Sequence, residues 1–140
     1  MKWNVKPLRG VGDVEFGMKP DEVRRAVDSP HESFRRGEEM HASDHFPDLG
    51  LFAYYTPRGR LEALEMALPA APELAGENLL ALPYDQLVKK IAKRDQDLMT
   101  DPDGFTAPNV GIGAYAPESK DHPKKKPESI IVFCKGYYDT

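Results

Sequence analysis

The sequence repeats itself, and this constrains the fold most, because two similar units must set two similar groups of elements side by side. In the first half Pro47-Asp48-Leu49-Gly50-Leu51-Phe52-Ala53-Tyr54 is followed by Leu61-Glu62-Ala63-Leu64-Glu65-Met66. In the second, Pro108-Asn109-Val110-Gly111-Ile112-Gly113-Ala114-Tyr115 is followed by Pro127-Glu128-Ser129-Ile130-Ile131-Val132. Gly, Ala and Tyr recur in register, and hydrophobic residues match hydrophobic residues at most other positions. Each block reads as a strand, a turn and a second strand. Turn chemistry is visible in Thr56-Pro57-Arg58-Gly59 and in the longer connection from Pro117 to Lys126.

A helix is predicted before each pair of strands. The first runs from Pro20 to Asp28, with proline in its first turn and Asp21 and Glu22 at the positive helix end. Val23 and Val27 form its apolar edge, and Ser29-Pro30 stops it. The second runs from Pro83 to Arg94, where Tyr84, Leu87, Val88 and Ile91 follow the amphipathic i, i+3, i+4, i+7 pattern. Met18-x-x-Asp21-Glu22-Val23 aligns with Leu82-x-x-Asp85-Gln86-Leu87. The expected fold is therefore α+β, a tandem repeat of helix-plus-antiparallel-strand units with both helices on one face of the sheet. One domain over residues 1–140 is expected, with halves of about 8–69 and 78–140. Alternation puts Leu64, Met66 and Leu68 on the helix side and Ala63, Glu65 and Ala67 on the other. The matching open-side residues of the second unit are Ser129, Ile131 and Phe133, more apolar than a solvent face requires. Either a loop or the N-terminal strand around Trp3 covers them, or they form a partner-binding surface.

Composition removes several classes of function. The longest apolar runs, such as Ile130-Ile131-Val132-Phe133-Cys134, fall far short of the roughly 20 residues needed to cross a bilayer. The first residues, Met1-Lys2-Trp3-Asn4-Val5, carry no signal-peptide core. Cys134 is the one cysteine and lies in an apolar run, so a buried, inert thiol is expected rather than a reactive one. These features point to the cytoplasm. A net charge of −4 argues against a nucleic-acid partner. Lys124-Lys125-Lys126, between Pro123 and Pro127, reads as a solvated loop rather than a phosphate-binding patch.

No pattern reaches a catalytic or metal-binding set, and no cofactor is expected. His41-Ala42-Ser43-Asp44-His45 would put two imidazoles on one helix face, with His31 as a further ligand, but no apolar period supports a helix there. A polar loop is the expectation. Asp101-Pro102-Asp103-Gly104 resembles the middle of a calcium loop, yet Met99 and Val110 stand where carboxylates belong, so a turn into Phe105 is expected. No serine lies in a nucleophile elbow, and paired carboxylates such as Glu38-Glu39 would need a desolvated cleft to do acid–base work. Gly111-Ile112-Gly113 is too short to cradle a phosphate and suits close strand packing or a bulge.

Gly12-Asp13-Val14-Glu15-Phe16-Gly17-Met18-Lys19-Pro20-Asp21-Glu22-Val23 resembles the strand-to-helix opening of small outer-membrane assembly lipoproteins and of β-lactamase inhibitor protein domains. The chain lacks the lipidated cysteine of the first and the disulfides of the second. Over most of its length it is similar to a group of uncharacterised bacterial proteins associated with polymorphic-toxin immunity. That likeness rests on Gly10-Val11-Gly12, Asp48-Leu49-Gly50-Leu51-Phe52-Ala53-Tyr54-Tyr55, Gly104-Phe105 and Lys135-Gly136-Tyr137-Tyr138-Asp139. The resemblance implies a cytoplasmic, acidic, non-enzymatic binder that occludes a toxin domain; of oligomeric states, a monomer is favoured. Neither nucleic acid nor membrane would be its partner. Loop acids Glu38, Glu39, Asp44 and Asp48, with Glu65 on the open sheet face, would steer a basic target, and Tyr54 or Tyr137 would anchor it. An intracellular small-ligand domain with a pocket between sheet and helices is the alternative, and an enzyme of unrecognised type ranks third.

Overall fold

The computed structural model describes residues 3–138; Met1, Lys2, Asp139 and Thr140, Asp139 being the last residue of the closing motif above, lie outside the described residues. Helix α1 is Pro20–Val27. Its start is fixed by Glu22, whose carboxylate accepts the Lys19 N–H at 3.0 Å, and its end by Asp28, which turns left-handed at φ 51°. Helix α2 is Tyr84–Ala92. Its first free donors are met by the lysine-rich connection: Tyr84 N–H bonds the Lys125 carbonyl at 2.9 Å and Asp85 N–H the Pro123 carbonyl at 2.8 Å. The exposed loop expected at Lys124–Lys126 is there, and its backbone caps a helix.

The main sheet has eight antiparallel strands: β4 (Glu32–Phe34), β5 (Ser43–Phe46), β6 (Leu51–Tyr55), β7 (Leu61–Met66), β10 (Met99–Asp101), β11 (Gly104–Ala107), β12 (Ile112–Tyr115) and β13 (Ser129–Phe133). They lie in the order β10-β11-β12-β13-β7-β6-β5-β4. Two-residue strands β1 (Val5–Lys6), β2 (Gly10–Val11) and β3 (Val14–Glu15) form a separate small sheet, and β8 (Glu73–Leu74) pairs with β9 (Glu77–Asn78). The protein is thus a mixed, strand-rich fold dominated by one antiparallel sheet.

Alternation divides the sheet into two faces. On the inner face Leu51 pairs with Met66 and Ala53 with Leu64, Met66 with Ile130 and Leu64 with Val132. These residues share one buried cluster with Val23 and Val27 of α1 and Leu87 and Ile91 of α2. Val23, Leu64, Met66, Leu87, Ile91, Ile130 and Val132 are each 0% exposed, so side chains fill the layer where a ligand pocket was the alternative expectation. Gly50 and Gly111 enter β6 and β12 at φ +63° and +67°, where an added Cβ would sit 2.2 Å from the Ala67 oxygen and 2.4 Å from the Phe133 oxygen. Only glycine fits both turns.

Two expectations need correction. Leu68 is 78% exposed, not on the core side; pairing stops at Met66, and Pro69 has no N–H with which to prolong the ladder. Trp3 does not cover the open face but packs against the inner core, where its carbonyl accepts the Glu73 N–H at 2.9 Å.

Candidate functional site

The outer face of the main sheet is covered by neither helix. Its central cross-strand row reads Glu32, His45, Phe52, Glu65, Ile131, Gly113, Thr106 and Met99 from edge to edge. The β4–β7 half carries aromatic rings. His45 stacks on Phe52 at 4.2 Å, and Phe34 meets Phe52 edge-on at 6.0 Å. The connection between β4 and β5 folds back over this half: the Arg36 guanidinium lies 3.9 Å above the Tyr54 ring and donates to Glu39 at 2.9 Å and to the Tyr137 hydroxyl at 3.3 Å. Tyr137 and Tyr138 close over Phe133, with ring centroids at 5.8 and 4.9 Å.

The centre is polar and tied across strands. Tyr54 donates its phenol proton to Glu65 Oε1 at 2.5 Å, and Ser129 Oγ donates to Glu65 Oε2 at 2.8 Å. Burial, then the bond to Glu65, pushes the Tyr54 phenol far above the ordinary tyrosine range. Toward β10 the face opens into a recess of about 260 Å³, lined chiefly by Glu65, Asp101, Asp103, Tyr115, Ser129 and Tyr138. The tight β10–β11 turn holds its rim, with the Asp103 N–H bonded to Asp101 Oδ1 at 2.7 Å. This is the turn into Phe105 that the sequence predicts.

The acids expected on one exposed loop are scattered. Glu38 is exposed beside half-buried Glu39, which is engaged by Arg36 and lies 3.4 Å from His41. Asp48 is exposed in the 3-10 turn Pro47–Leu49. Asp44 is misplaced by the sequence reading: it is 1% exposed and sits on the opposite, inner face. There it accepts two bonds from Arg24 of α1 at 2.9 Å and one each from Tyr55 at 2.8 Å and Ser33 at 3.2 Å. Burial alone would raise this carboxyl, but the bonds from Arg24 and Tyr55 outweigh it and hold it below the usual range. The predicted polar loop at His41–His45 is likewise corrected, since Ser43–Phe46 is an internal strand. It showed no apolar period because one of its two inward residues, Asp44, is satisfied by a cation rather than by packing, which leaves Phe46 as the only apolar one. Glu65 and Tyr54 meet on the outer face, where Tyr137 packs on Phe133 and accepts from Arg36.

Sequence reasoning missed Phe34, Phe52, Asp101 and Asp103 as parts of this face; it favours a structural role for Tyr115 and leaves Tyr138 open between packing and anchoring. The alternation of Phe52 with Tyr54 was the available signal for the aromatic half. The recess has no local signature, because five strands and the tail after β13 build it. Cys134 is half-buried, with its thiol pushed up by burial and by Glu62. Among the described residues no three His, Cys, Asp or Glu side chains converge as a metal site requires, and no helix is long and apolar enough to cross a membrane. No family model, no curated protein and no solved structure matches the chain.

Proposed function

We propose that this chain is a non-enzymatic protein-binding module, a cytoplasmic immunity-type inhibitor of a bacterial toxin domain, and that it binds through the open sheet face. The observation that carries the reading is the composition of that face. It has no helix over it, yet it displays Phe34, Phe52, Tyr115 and Tyr138 beside Glu65, Asp101 and Asp103. Apolar surface rimmed by polar groups is characteristic of interaction sites, and tyrosines are effective anchors in them. The net charge of −4 suits a basic partner, drawn in by electrostatic steering.

The same reading includes a duplicated unit, a helix followed by four antiparallel strands. Supporting it, α1 precedes β4–β7 and α2 precedes β10–β13, and the strand order runs outward identically from the β7–β13 contact. Leu51 pairs with Met66 as Ile112 pairs with Val132. Phe46 pairs with Leu51 as Ala107 pairs with Ile112, and Glu32 with His45 as Met99 with Thr106. Duplication would make the outer face one continuous surface across the β7–β13 seam, wide enough to occlude a catalytic cleft.

Affinity capture from the native host, run in parallel with the unaltered chain and with Phe52→Asp, tests the reading. The unaltered chain should retain a basic protein that is toxic when expressed alone and harmless when co-expressed with this chain. The variant should lose it. Retention that is indifferent to Phe52→Asp, or a captured protein without toxicity, would refute the proposal.

A further inference from the structure

We infer that the recess at the β10–β12 end of the open face receives an arginine side chain of the protein that docks there. The inference rests on the protein-binding reading above and names the chemistry the partner must present.

Three carboxylates face this recess of about 260 Å³: Glu65 from the sheet, Asp101 and Asp103 from the β10–β11 turn. None has a cation of its own. Every ion pair among the described residues involves other carboxylates. Arg36, a cation placed over this face, is committed to Tyr54, Glu39 and Tyr137. Glu65 is nonetheless held in place by its bonds from Tyr54 and Ser129. An ionised carboxylate has about four acceptor sites, so two neutral donors orient it and leave capacity for a charged one. Asp101 is fixed in the same way by the Asp103 N–H.

The walls suit an organic cation. Tyr115 is 47% and Tyr138 55% exposed, large aromatic surfaces left uncovered at the mouth of an acidic recess. Aromatic rings attract cations, and guanidinium most often, because its plane stacks on a ring while its edge forks to a carboxylate. A bare metal ion is the poorer occupant, since these carboxylates do not converge on one point.

The test is an NMR titration of the isotopically labelled full chain with a blocked Gly-Arg-Gly peptide, its citrulline counterpart and its lysine counterpart. The arginine peptide should shift amides confined to β10–β13, Tyr138 and the part of β7 around Glu65, and citrulline, alike in shape but neutral, should not. Lysine should bind more weakly than arginine. Asp101→Asn with Asp103→Asn should weaken the arginine peptide by about fivefold, two exposed charges each contributing modestly. Both acids are exposed, so the variant's unchanged spectrum elsewhere certifies its fold. Equal shifts from citrulline, shifts on another surface, or indifference to the double substitution would overturn the inference. The captured partner separates this failure from failure of the functional reading. If Phe52→Asp abolishes capture while Asp101→Asn/Asp103→Asn does not weaken it, the arginine recess is wrong and the binding face stands. If the peptide occupies the recess but capture survives Phe52→Asp, the fault lies with the face.

Discussion

Replacing Asp44 by asparagine keeps the side chain's shape and removes its charge at a site 1% exposed to solvent. With its carbonyl at the Oδ2 position, asparagine still accepts from Arg24 Nε and from the Tyr55 hydroxyl. Its amide then faces Arg24 Nη2, a donor against a donor, where Asp44 Oδ1 accepted at 2.9 Å. Ser33 keeps a bond by turning its hydroxyl to accept. The net change is one charge-assisted hydrogen bond, about 1.5–3 kcal/mol. Arg24→Met should cost more, toward the lower end of about 3–5 kcal/mol, because it leaves the carboxylate buried without its cation, while the one-third-exposed arginine has some water already. Replacing the whole set at once, with Arg24→Met, Asp44→Leu and Tyr55→Phe, should recover most of the loss, since an apolar set of similar volume needs no partners. Phe105 pairs with Ala114 in the β11–β12 ladder as Asp44 pairs with Ala53 in the β5–β6 ladder, and there an apolar ring packs in the core without polar partners.

Acid sensitivity gives a second readout. Asp44 is held below its ordinary value in the folded chain, so its contribution is present above the unfolded carboxylate pKa, about 3.9, and is lost as pH falls through that value toward the lower folded one. Urea unfolding followed by tryptophan fluorescence at neutral pH and near pH 3 measures both effects. The gap between the unaltered chain and Asp44→Asn should narrow in acid. A loss below about 0.5 kcal/mol at neutral pH, the size of an ordinary surface substitution, or a gap that does not narrow, would refute the buried ion-pair account.

Gly111→Ala should cost more than about 1 kcal/mol in the same assay, since the left-handed backbone at φ +67° disfavours alanine and its Cβ would meet the Phe133 oxygen. Leu64→Ala and Ile130→Ala, both at fully buried positions, should each cost about 2–5 kcal/mol; values below about 1 kcal/mol at both would overturn the inner-face register. Cys134 should react with a disulfide reagent near pH 8 more slowly than free cysteine, because burial and Glu62 raise its thiol; a faster reaction would refute that environment.

What the sequence revealed follows from how each element is stabilised. Helices α1 and α2 were legible because Val23 with Val27 and Leu87 with Ile91 mark one buried edge each. Strands β7 and β13 were legible because Leu64 and Met66 flank the less buried Glu65, and Ile130 and Val132 flank the less buried Ile131. Strand β5 was hidden because Asp44 takes an inward position that pattern reading reserves for apolar residues. The strands β1–β3, β8 and β9, two residues each, are too short to show any period. The recess escaped notice for a different reason: Glu65, Asp101, Tyr115 and Tyr138 meet only through non-local strand pairing and the return of the tail.

On the proposed duplication, the two faces of the sheet differ in how the halves correspond across the β7–β13 seam. Inner positions of the four central strands carry similar residues, Leu51 and Ile112, Ala53 and Ala114, Leu64 and Ile130, Met66 and Val132, whereas farther out Phe46 stands against Ala107 and Asp44 against Phe105. Outer positions diverge except at Tyr54 and Tyr115. Phe52 corresponds to Gly113, Glu65 to Ile131, and Phe34 to Asp101. Gly113 matters most, because where the first half extends a phenyl ring to stack with His45, the second leaves bare backbone beside Ile131 and Thr106. No ring fits there: a Cβ on buried Gly113 would sit 3.0 Å from Ile131 Cγ2 and 3.2 Å from the Phe105 oxygen, and the aromatic surface of this end comes from Tyr115 and Tyr138 at the mouth of the recess. The β4–β6 end is an aromatic platform locked by Arg36, and the β10 end is an acidic recess that also draws Glu65 from β7. On the proposed protein-binding reading, this asymmetry suits a single asymmetric partner better than a second copy of the same chain.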